Sequence, residues 1–365
     1  MTRTEAYLVL TLLPRIGPVR VRRLVESLGG PERVLDATLD RLVSVSGIGA
    51  EIAETLRDWE NRTDLATEKR RIAEHGIDLL TIEESGYPER LRAIHDPPFL
   101  LFLKGKILPR DDLAVAVVGS RRATHYGREA ARKLSFQLAH AGVTIVSGLA
   151  RGIDTAAHEA AVAAGGRTIA VLGSGIGNLY PAENAALAER IAENGAVISE
   201  FPVLYVPDKQ SFPLRNRIVS GLSQGILVAE APARSGSLIT ANQALEQGRG
   251  VYAVPGPIDR PTSAGCNRLI QEGAKLVLDA GDILDELDGA AAAPELPGLD
   301  APRRAETLDE TERRVFAALE SAETPIDTIA EGAGLPIAVV SATLLRLEMK
   351  RVVKQLPGKY FVKLI

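Results

Sequence analysis

Four short turns in this 365-residue chain carry residue types suited to gripping an anion. They are Gly119-Ser120-Arg121-Arg122-Ala123-Thr124, Ser147-Gly148-Leu149-Ala150-Arg151-Gly152-Ile153-Asp154, Gly173-Ser174-Gly175-Ile176-Gly177, and Ala229-Glu230-Ala231-Pro232-Ala233-Arg234-Ser235-Gly236-Ser237. Glycine lets a ligand approach the backbone, exposed amides and helix N-termini supply positive potential, and arginine adds bidentate charge. An extended phosphate chain calls for that combination. A purely structural role explains any one turn easily and all four together poorly.

A fifth segment adds a ring. Lys209-Gln210-Ser211-Phe212-Pro213-Leu214-Arg215-Asn216-Arg217 precedes a helical run from Ile218 to Leu222. Basic side chains hold a nucleic-acid backbone while an aromatic face stacks a base, so interleaving them suits a single strand. A solvated, charged helix start is the plainer alternative. Asp154 and His158, four apart on a predicted helix, invite a catalytic or metal reading. With no further histidine or cysteine nearby, hydrogen bonding from helix to loop is the better account. Glu200 and Glu230, at strand ends, are candidates for acid–base work, but orienting arginines is the preferred role. The lone cysteine, Cys266, reads as a small buried thiol and excludes an intramolecular disulfide or multi-cysteine zinc site.

The elements that must position these residues follow from the apolar pattern. Leu113–Val118, Val143–Val146, Thr168–Leu172, Ala196–Ser199, Gly225–Val228 and Gly250–Val254 read as strands. Gly127–Ala141, Gly152–Ala164, Asn184–Glu193, Ser237–Gln247 and Cys266–Glu272 read as amphipathic helices between them. Near-continuous apolar strands alternating with helices imply a parallel sheet covered on both faces. The class is α/β, an extended Rossmann-like, doubly wound parallel sheet over residues 85–288. Ligands of such sheets bind outside the carboxyl ends of the strands, where the four turns fall.

Flanking segments differ. Residues 1–84 read as short helices, with Leu13-Pro14-Arg15-Ile16-Gly17-Pro18 before a run Val19–Leu28 and Val45-Ser46-Gly47-Ile48-Gly49-Ala50 before Glu51–Trp59. This resembles a helix-hairpin-helix or SAM-like domain, which holds DNA backbone without reading sequence; a helical scaffold that touches no DNA fits equally. Residues 289–306 have linker composition. Residues 307–365 read as three helices and a β-ribbon, the order of a winged helix. Thr324-Pro325 is expected to start its second helix, and Val352–Gln355 and Tyr360–Lys363 to flank Pro357-Gly358. The third helix opens Pro336-Ile337-Ala338-Val339-Val340-Ser341, with no Arg, Lys, Asn or Gln to reach a base edge. Basic residues come late (Arg346, Lys350, Arg351) or in the wing (Lys354, Lys359, Lys363), which favours protein contact or weak backbone contact.

The signature stretches together resemble the DNA-processing protein A (DprA/Smf) family. They are Gly119-Ser120-Arg121, Ser147 to Asp154 with His158, Phe212 to Leu222, Ser235-Gly236-Ser237-Leu238-Ile239-Thr240-Ala241, Val254-Pro255-Gly256-Pro257 and Gly265 to Ala274. The resemblance implies an extended Rossmann core that binds single-stranded DNA, forms homodimers and loads RecA recombinase during natural transformation. It further implies DNA contact by Arg121, Lys209 and Phe212, with Arg151, Arg215 and Arg217 lining the same basic pocket. The wider expected DNA-binding set is Gly119, Ser120, Arg122, Thr124, Ser147, Gly148, Gly152, Gly173, Asn216, Ser235, Gly236, Ser237 and Thr240.

Composition limits the alternatives. A net charge of −4 rules out a generally basic coat, so DNA affinity must be focused in one groove. No apolar run approaches a membrane span and no signal peptide is evident, so a cytoplasmic location is expected. No cofactor or metal is expected. Gly173-Ser174-Gly175-Ile176-Gly177 lacks the final spaced glycine of a dinucleotide fingerprint, and the Gly-Lys pairs 105–106 and 358–359 precede Ile and Tyr rather than a Walker hydroxyl. The serious alternative is a nucleotide phosphoribohydrolase-like enzyme. Its Pro-Gly-Gly-x-Gly-Thr-x-x-Glu stretch is matched only by Arg234-Ser235-Gly236-Ser237-Leu238-Ile239-Thr240, without the glutamate. A non-enzymatic role is preferred.

Overall fold

The computed structural model describes residues 1–288, 308–319, 323–350, 352–356 and 358–363. The linker expected at 289–306 lies outside these residues, as do Arg351, read as a basic residue late in the third helix, and Pro357 of the expected wing. The chain forms two compact units, Met1–Ala293 and Pro294–Ile365.

The first unit opens with α1 (Arg3–Leu12), where Thr2 and Glu5 form a reciprocal capping box. Pro18 sets the first turn of α2 (Pro18–Leu28), and Gly29, at φ +87°, ends it in the left-handed region. Then come α3 (Pro31–Asp36), α4 (Leu39–Val43), α5 (Ala50–Arg57), α6 (Trp59–Arg62) and α7 (Leu65–Glu74). Leu8, Leu24, Leu42 and Leu56 are fully buried in one core. Leu100 and Phe102 of the following sheet complete that core, so these helices are built onto the sheet.

The sheet region runs β1 (Asp78–Thr81), α8 (Glu89–Arg92), β2 (Leu100–Gly105), β3 (Ala114–Gly119), α9 (His125–His140), β4 (Thr144–Ser147), α10 (Ile153–Ala163), β5 (Thr168–Val171), α11 (Ala185–Asn194) and β6 (Ala196–Ser199). It continues with α12 (Ser211–Gly221), β7 (Gly225–Glu230), α13 (Gly236–Glu246), β8 (Gly250–Ala253), α14 (Ala264–Gln271), β9 (Lys275–Leu276) and α15 (Gly281–Leu284). Among the described residues, nine strands form one sheet in the order β1-β2-β6-β5-β4-β3-β7-β8-β9. Strands β3 to β9 are parallel, as expected. The first two are not: β1 pairs antiparallel with β2, and β2 antiparallel with β6. The sheet thus begins at residue 78, ahead of the expected boundary at 85.

Side-chain alternation explains the layers. Ala114, Ala116 and Val118 of β3 face one core with Ile218 and Val219 of α12, Ala241 of α13 and Leu269 of α14. Val115 and Val117 face the other, with Leu134 and Leu138 of α9 and Ala157 and Ala161 of α10. The chain moves outward from β3 through β4, β5 and β6, then returns to place β7 on the opposite side of β3. The carboxyl ends of β3 and β7 are therefore the topological switch point, where such sheets take ligands.

The second unit contains α16 (Glu310–Ala317), β10 (Thr324–Pro325), α17 (Ile326–Ala333), α18 (Ile337–Met349), β11 (Val353–Leu356) and β12 (Tyr360–Lys363). Val315, Ile329, Val340, Leu344, Val353 and Phe361 form its core, and its strands run β10-β12-β11. This is a winged helix. Thr324-Pro325 does not begin a helix: it pairs with Phe361 and Tyr360 as a short strand, and Pro325 caps α17 from outside. Among the described residues no single helix is long and apolar enough to cross a membrane.

Candidate nucleic-acid interface

At the switch point the loops after β3, β4 and β7 meet the start of α12 around a cleft of about 500 Å³. A smaller cleft of about 160 Å³ adjoins it and shares Arg121, Gly148, Ala150 and Phe212. The size range is that of a site enclosing one small ligand. Its strand-end loops are held from inside the fold. Ser120 N–H donates to Glu230 O at 2.7 Å, tying the end of β3 to β7. The Asp154 carboxylate of α10 accepts from Gly148 N–H at 3.2 Å and Ala150 N–H at 3.3 Å. Leu149 is fully buried at φ +54°, a conformation that costs a branched side chain energy and that these bonds maintain. Gly152, at φ +81°, must lack a Cβ because one would collide with Ser120 O.

Burial of the Asp154 carboxyl pushes it above the ordinary carboxylate range, against the pull of Arg215 and the two amides. Arg215 lies beneath the cleft floor, 3% exposed. Its Nη1 donates to Gly148 O and Val171 O, clamping the ends of β4 and β5 together. Burial lowers this guanidinium to about 10, with Asp154 opposing and Arg121 adding repulsion. His158 is also fully buried; its Nδ1 pairs with Thr168 Oγ1 at 2.7 Å, and burial followed by Arg215 repulsion lowers it to about 3. Asp154 makes the expected helix-to-loop bonds, whereas His158 bonds a strand instead, at Thr168 of β5. Among the described residues no cluster of three His, Cys, Asp or Glu could hold a metal. Cys266 is buried, and desolvation raises its thiol to about 12.

The rim carries the positive charge. Arg121, Arg234 and Lys209 are exposed and line the larger cleft, and among the described residues none of the three has a carboxylate partner. The Arg121 guanidinium lies over the Phe212 ring, 4.6 Å from its centroid. Tyr180 flanks the same ring at 5.9 Å. Gly173 backs it: a Cβ there would stand 2.9 Å from Phe212 Cδ1. At the N-terminus of α13, Ser235 accepts from Ser237 N–H at 3.3 Å, and Ser235, Gly236, Ser237 and Thr240 form the remaining wall.

The structure brings Gly119, Ser120, Arg121, Gly148, Lys209, Phe212, Arg215, Asn216, Ser235, Gly236, Ser237 and Thr240 to the larger cleft, and Arg122 and Arg151 to the smaller one. Arg151 is engaged by Glu183, through Nη2 at 2.9 Å and Nε. Five expected residues line neither cleft. Ser147 donates its hydroxyl to Val117 O at 2.6 Å, while Thr124 bonds Glu230 through its N–H at 3.0 Å and its hydroxyl. Gly152 and Gly173 shape the walls from behind. Arg217 is the clearest correction. It is 5% exposed and paired with Asp96 at 3.0 Å and Glu200 at 2.6 Å, on a different side of α12 from Phe212. Glu200 thus does hold an arginine, but one outside the cleft, and burial raises its carboxyl despite that partner. Glu230 holds Thr124 rather than an arginine. The expected set omitted Arg234, Pro213 and Ile239, which also line the cleft. Arg234 lies in the turn after β7, among the residues the sequence already sets beyond that strand's carboxyl end.

A family model described as DNA recombination-mediator protein A matches residues 78–288. A DprA winged-helix model matches 299–359, and a SAM-like helix-hairpin-helix tandem matches 7–58. Protein Smf of Escherichia coli is 43% identical over 287 residues, covering 77% of this chain and 76% of its own. Protein Smf of Synechocystis is 34% identical, covering 94% of both. Among solved structures, DNA processing protein A from Streptococcus pneumoniae superposes with a TM-score of 0.70 at 38% identity, over 79% of this chain and 99% of that one. A structure described for the single-stranded DNA binding mode of DNA processing protein A from Helicobacter pylori gives a TM-score of 0.52 at 30% identity, over 58% and 96%.

Proposed function

Because the chain belongs to the DNA recombination-mediator protein A family, we propose that it binds single-stranded DNA, without sequence specificity, along the carboxyl edge of its sheet. One observation carries the reading: Arg121, Arg234 and Lys209, three cations with no carboxylate partner among the described residues, converge on a cleft that also offers the Phe212 ring. In a chain of net charge −4, unneutralised cations gathered on one edge focus the field where a phosphate chain would lie. Arg121 and Lys209 take phosphates, and a base stacks on Phe212 beside or in place of the Arg121 guanidinium. Arg215 holds the Gly148 turn in position from below.

The proposed biological role is to protect incoming single strands and load RecA recombinase onto them in natural transformation and homologous recombination. A cytoplasmic homodimer joined through the Rossmann-like region is part of the same proposal, and two strand sites on one dimer would add avidity. The helix-hairpin-helix segment fits DNA-backbone contact and a scaffold that touches no DNA equally, and the winged-helix segment is assigned protein contact or weak backbone contact. Support for the latter is the start of α18, where Ile337 and Val339 are exposed and no base-reading side chain stands.

A gel-shift comparison of single-stranded and duplex DNA at two salt concentrations tests the proposal, with release of free base from nucleotides assayed alongside. Preference for the single strand, steep salt weakening and no base release are expected. Base release would favour the phosphoribohydrolase alternative, and duplex preference a duplex-binding role for the winged helix.

A further inference from the structure

On α12, Phe212, Asn216 and Val219 recur at helical spacing, and all three line the larger cleft. Side chains four apart on a helix are neighbours, with about 5–6 Å between Cβ atoms. A flat ring resting on Phe212 therefore brings its edge within reach of Asn216. The Asn216 side chain is half-buried, and among the described residues its carboxamide has no hydrogen-bond partner; its backbone carbonyl accepts from the Ser220 hydroxyl at 3.3 Å. The hydroxyls around it differ. Ser120 accepts from Arg122 N–H, Ser235 and Ser237 bond each other, and Thr240 donates to Gly236 O. Asn216 is left with both a donor and an acceptor to offer.

We propose that Asn216 hydrogen-bonds the edge of a base seated on Phe212, and that its carboxamide makes this seat tolerant of base identity. The inference rests on reading the cleft as a single-stranded DNA site. Every base carries a neighbouring donor and acceptor on its pairing edge, in one order for adenine and cytosine and the reverse for thymine and guanine. A carboxamide offers one donor group and one acceptor and satisfies either order by turning over. A carboxylate only accepts, and guanine alone presents two adjacent donors, N1–H and the 2-amino group. Asn216→Asp, nearly identical in size, should convert a tolerant seat into a guanine-preferring one.

The test measures fluorescence anisotropy of labelled oligo-dT, oligo-dC and alternating dG-dT oligonucleotides with the full chain, Asn216→Asp and Asn216→Ala. The added negative charge weakens all binding to Asn216→Asp, so the ratio between oligonucleotides is the readout. Relative to oligo-dT, Asn216→Asp should gain about tenfold on alternating dG-dT, the scale of one bidentate base contact. Asn216→Ala should lose affinity for all three with their ratios unchanged, and supplies the second reading if Asn216→Asp does not fold. If the parent chain binds oligo-dT but Asn216→Asp keeps the parental ratios, or Asn216→Ala keeps parental affinities, the base-reading role is overturned while the binding site stands. If the parent chain binds none of the three, the site reading and this inference fall together.

Discussion

The Arg121 guanidinium lies 4.6 Å from the centroid of the Phe212 ring, and no carboxylate competes for it among the described residues. Cation and ring come from different parts of the chain, the loop after β3 and the first turn of α12, and meet only because the switch point draws them together. The pair is a stacking platform with its charge already in place. Gly173 fixes the depth of that platform by leaving room for the ring.

Phe212→Ala should weaken oligo-dT binding by about 1–3 kcal/mol, the cost of losing one base–aromatic stack. Phe212→Trp should retain most of the affinity. Titration calorimetry measures both, and equal affinity for the alanine variant would show that no base uses this ring.

Salt dependence offers an independent count of phosphate contacts. For a single strand, the slope of log K against log salt falls by about 0.7 for each phosphate neutralised. Removing Arg121 and Lys209 together should flatten the slope by about 1.4. An unchanged slope would place the phosphates elsewhere.

Arg217 should behave as a stability residue. Arg217→Ala leaves Glu200 buried without its cation, and breaking such a pair typically costs about 3–5 kcal/mol. Denaturant unfolding should show that loss, while the folded protein keeps its affinity for single strands. A stable Arg217→Ala protein with weakened binding would reverse the assignment.

His158 sets an acid limit on the fold. Burial holds the folded imidazole to about 3, against an ordinary value of 6.5. The unfolded chain takes up this proton as pH drops below 6.5, whereas the folded chain resists until about 3. Its contribution to stability is therefore fully present above 6.5 and declines toward 3, by up to about 1.4 kcal/mol per pH unit. Urea midpoints between those values should fall less steeply for His158→Asn than for the parent. Parallel curves would shift the acid sensitivity to another group.

Much of this was legible in the chain because β3, β4 and β5 are short apolar runs that end in glycine and hydroxyl residues. The switch-point logic then placed the turns on one edge. Strands β1 and β2 were not legible because Asp78–Thr81 holds only two apolar residues, Leu79 and Leu80, and Leu100–Gly105 follows paired prolines rather than a helix. Their antiparallel pairing depends on contacts distant in sequence. The misplacement of Arg217 has a local cause. Arg215 and Arg217 are two residues apart on a helix and cannot share a face. Phe212, Asn216 and Val219 can, so helical spacing could have separated cleft residues from framework residues. What the residues alone could not reveal was which cations already had carboxylate partners: Glu183 for Arg151, Asp96 and Glu200 for Arg217, and none among the described residues for Arg121.

The most direct measurement is the affinity of labelled oligo-dT for the parent chain and for the Arg121→Ala/Lys209→Ala double variant, with circular dichroism confirming that both are folded. Both side chains are exposed, so the fold should survive their loss. Affinity should drop by at least about tenfold, the equivalent of losing one charge-assisted contact. A folded double variant that keeps full affinity would contradict the placement of single-stranded DNA on this edge of the sheet.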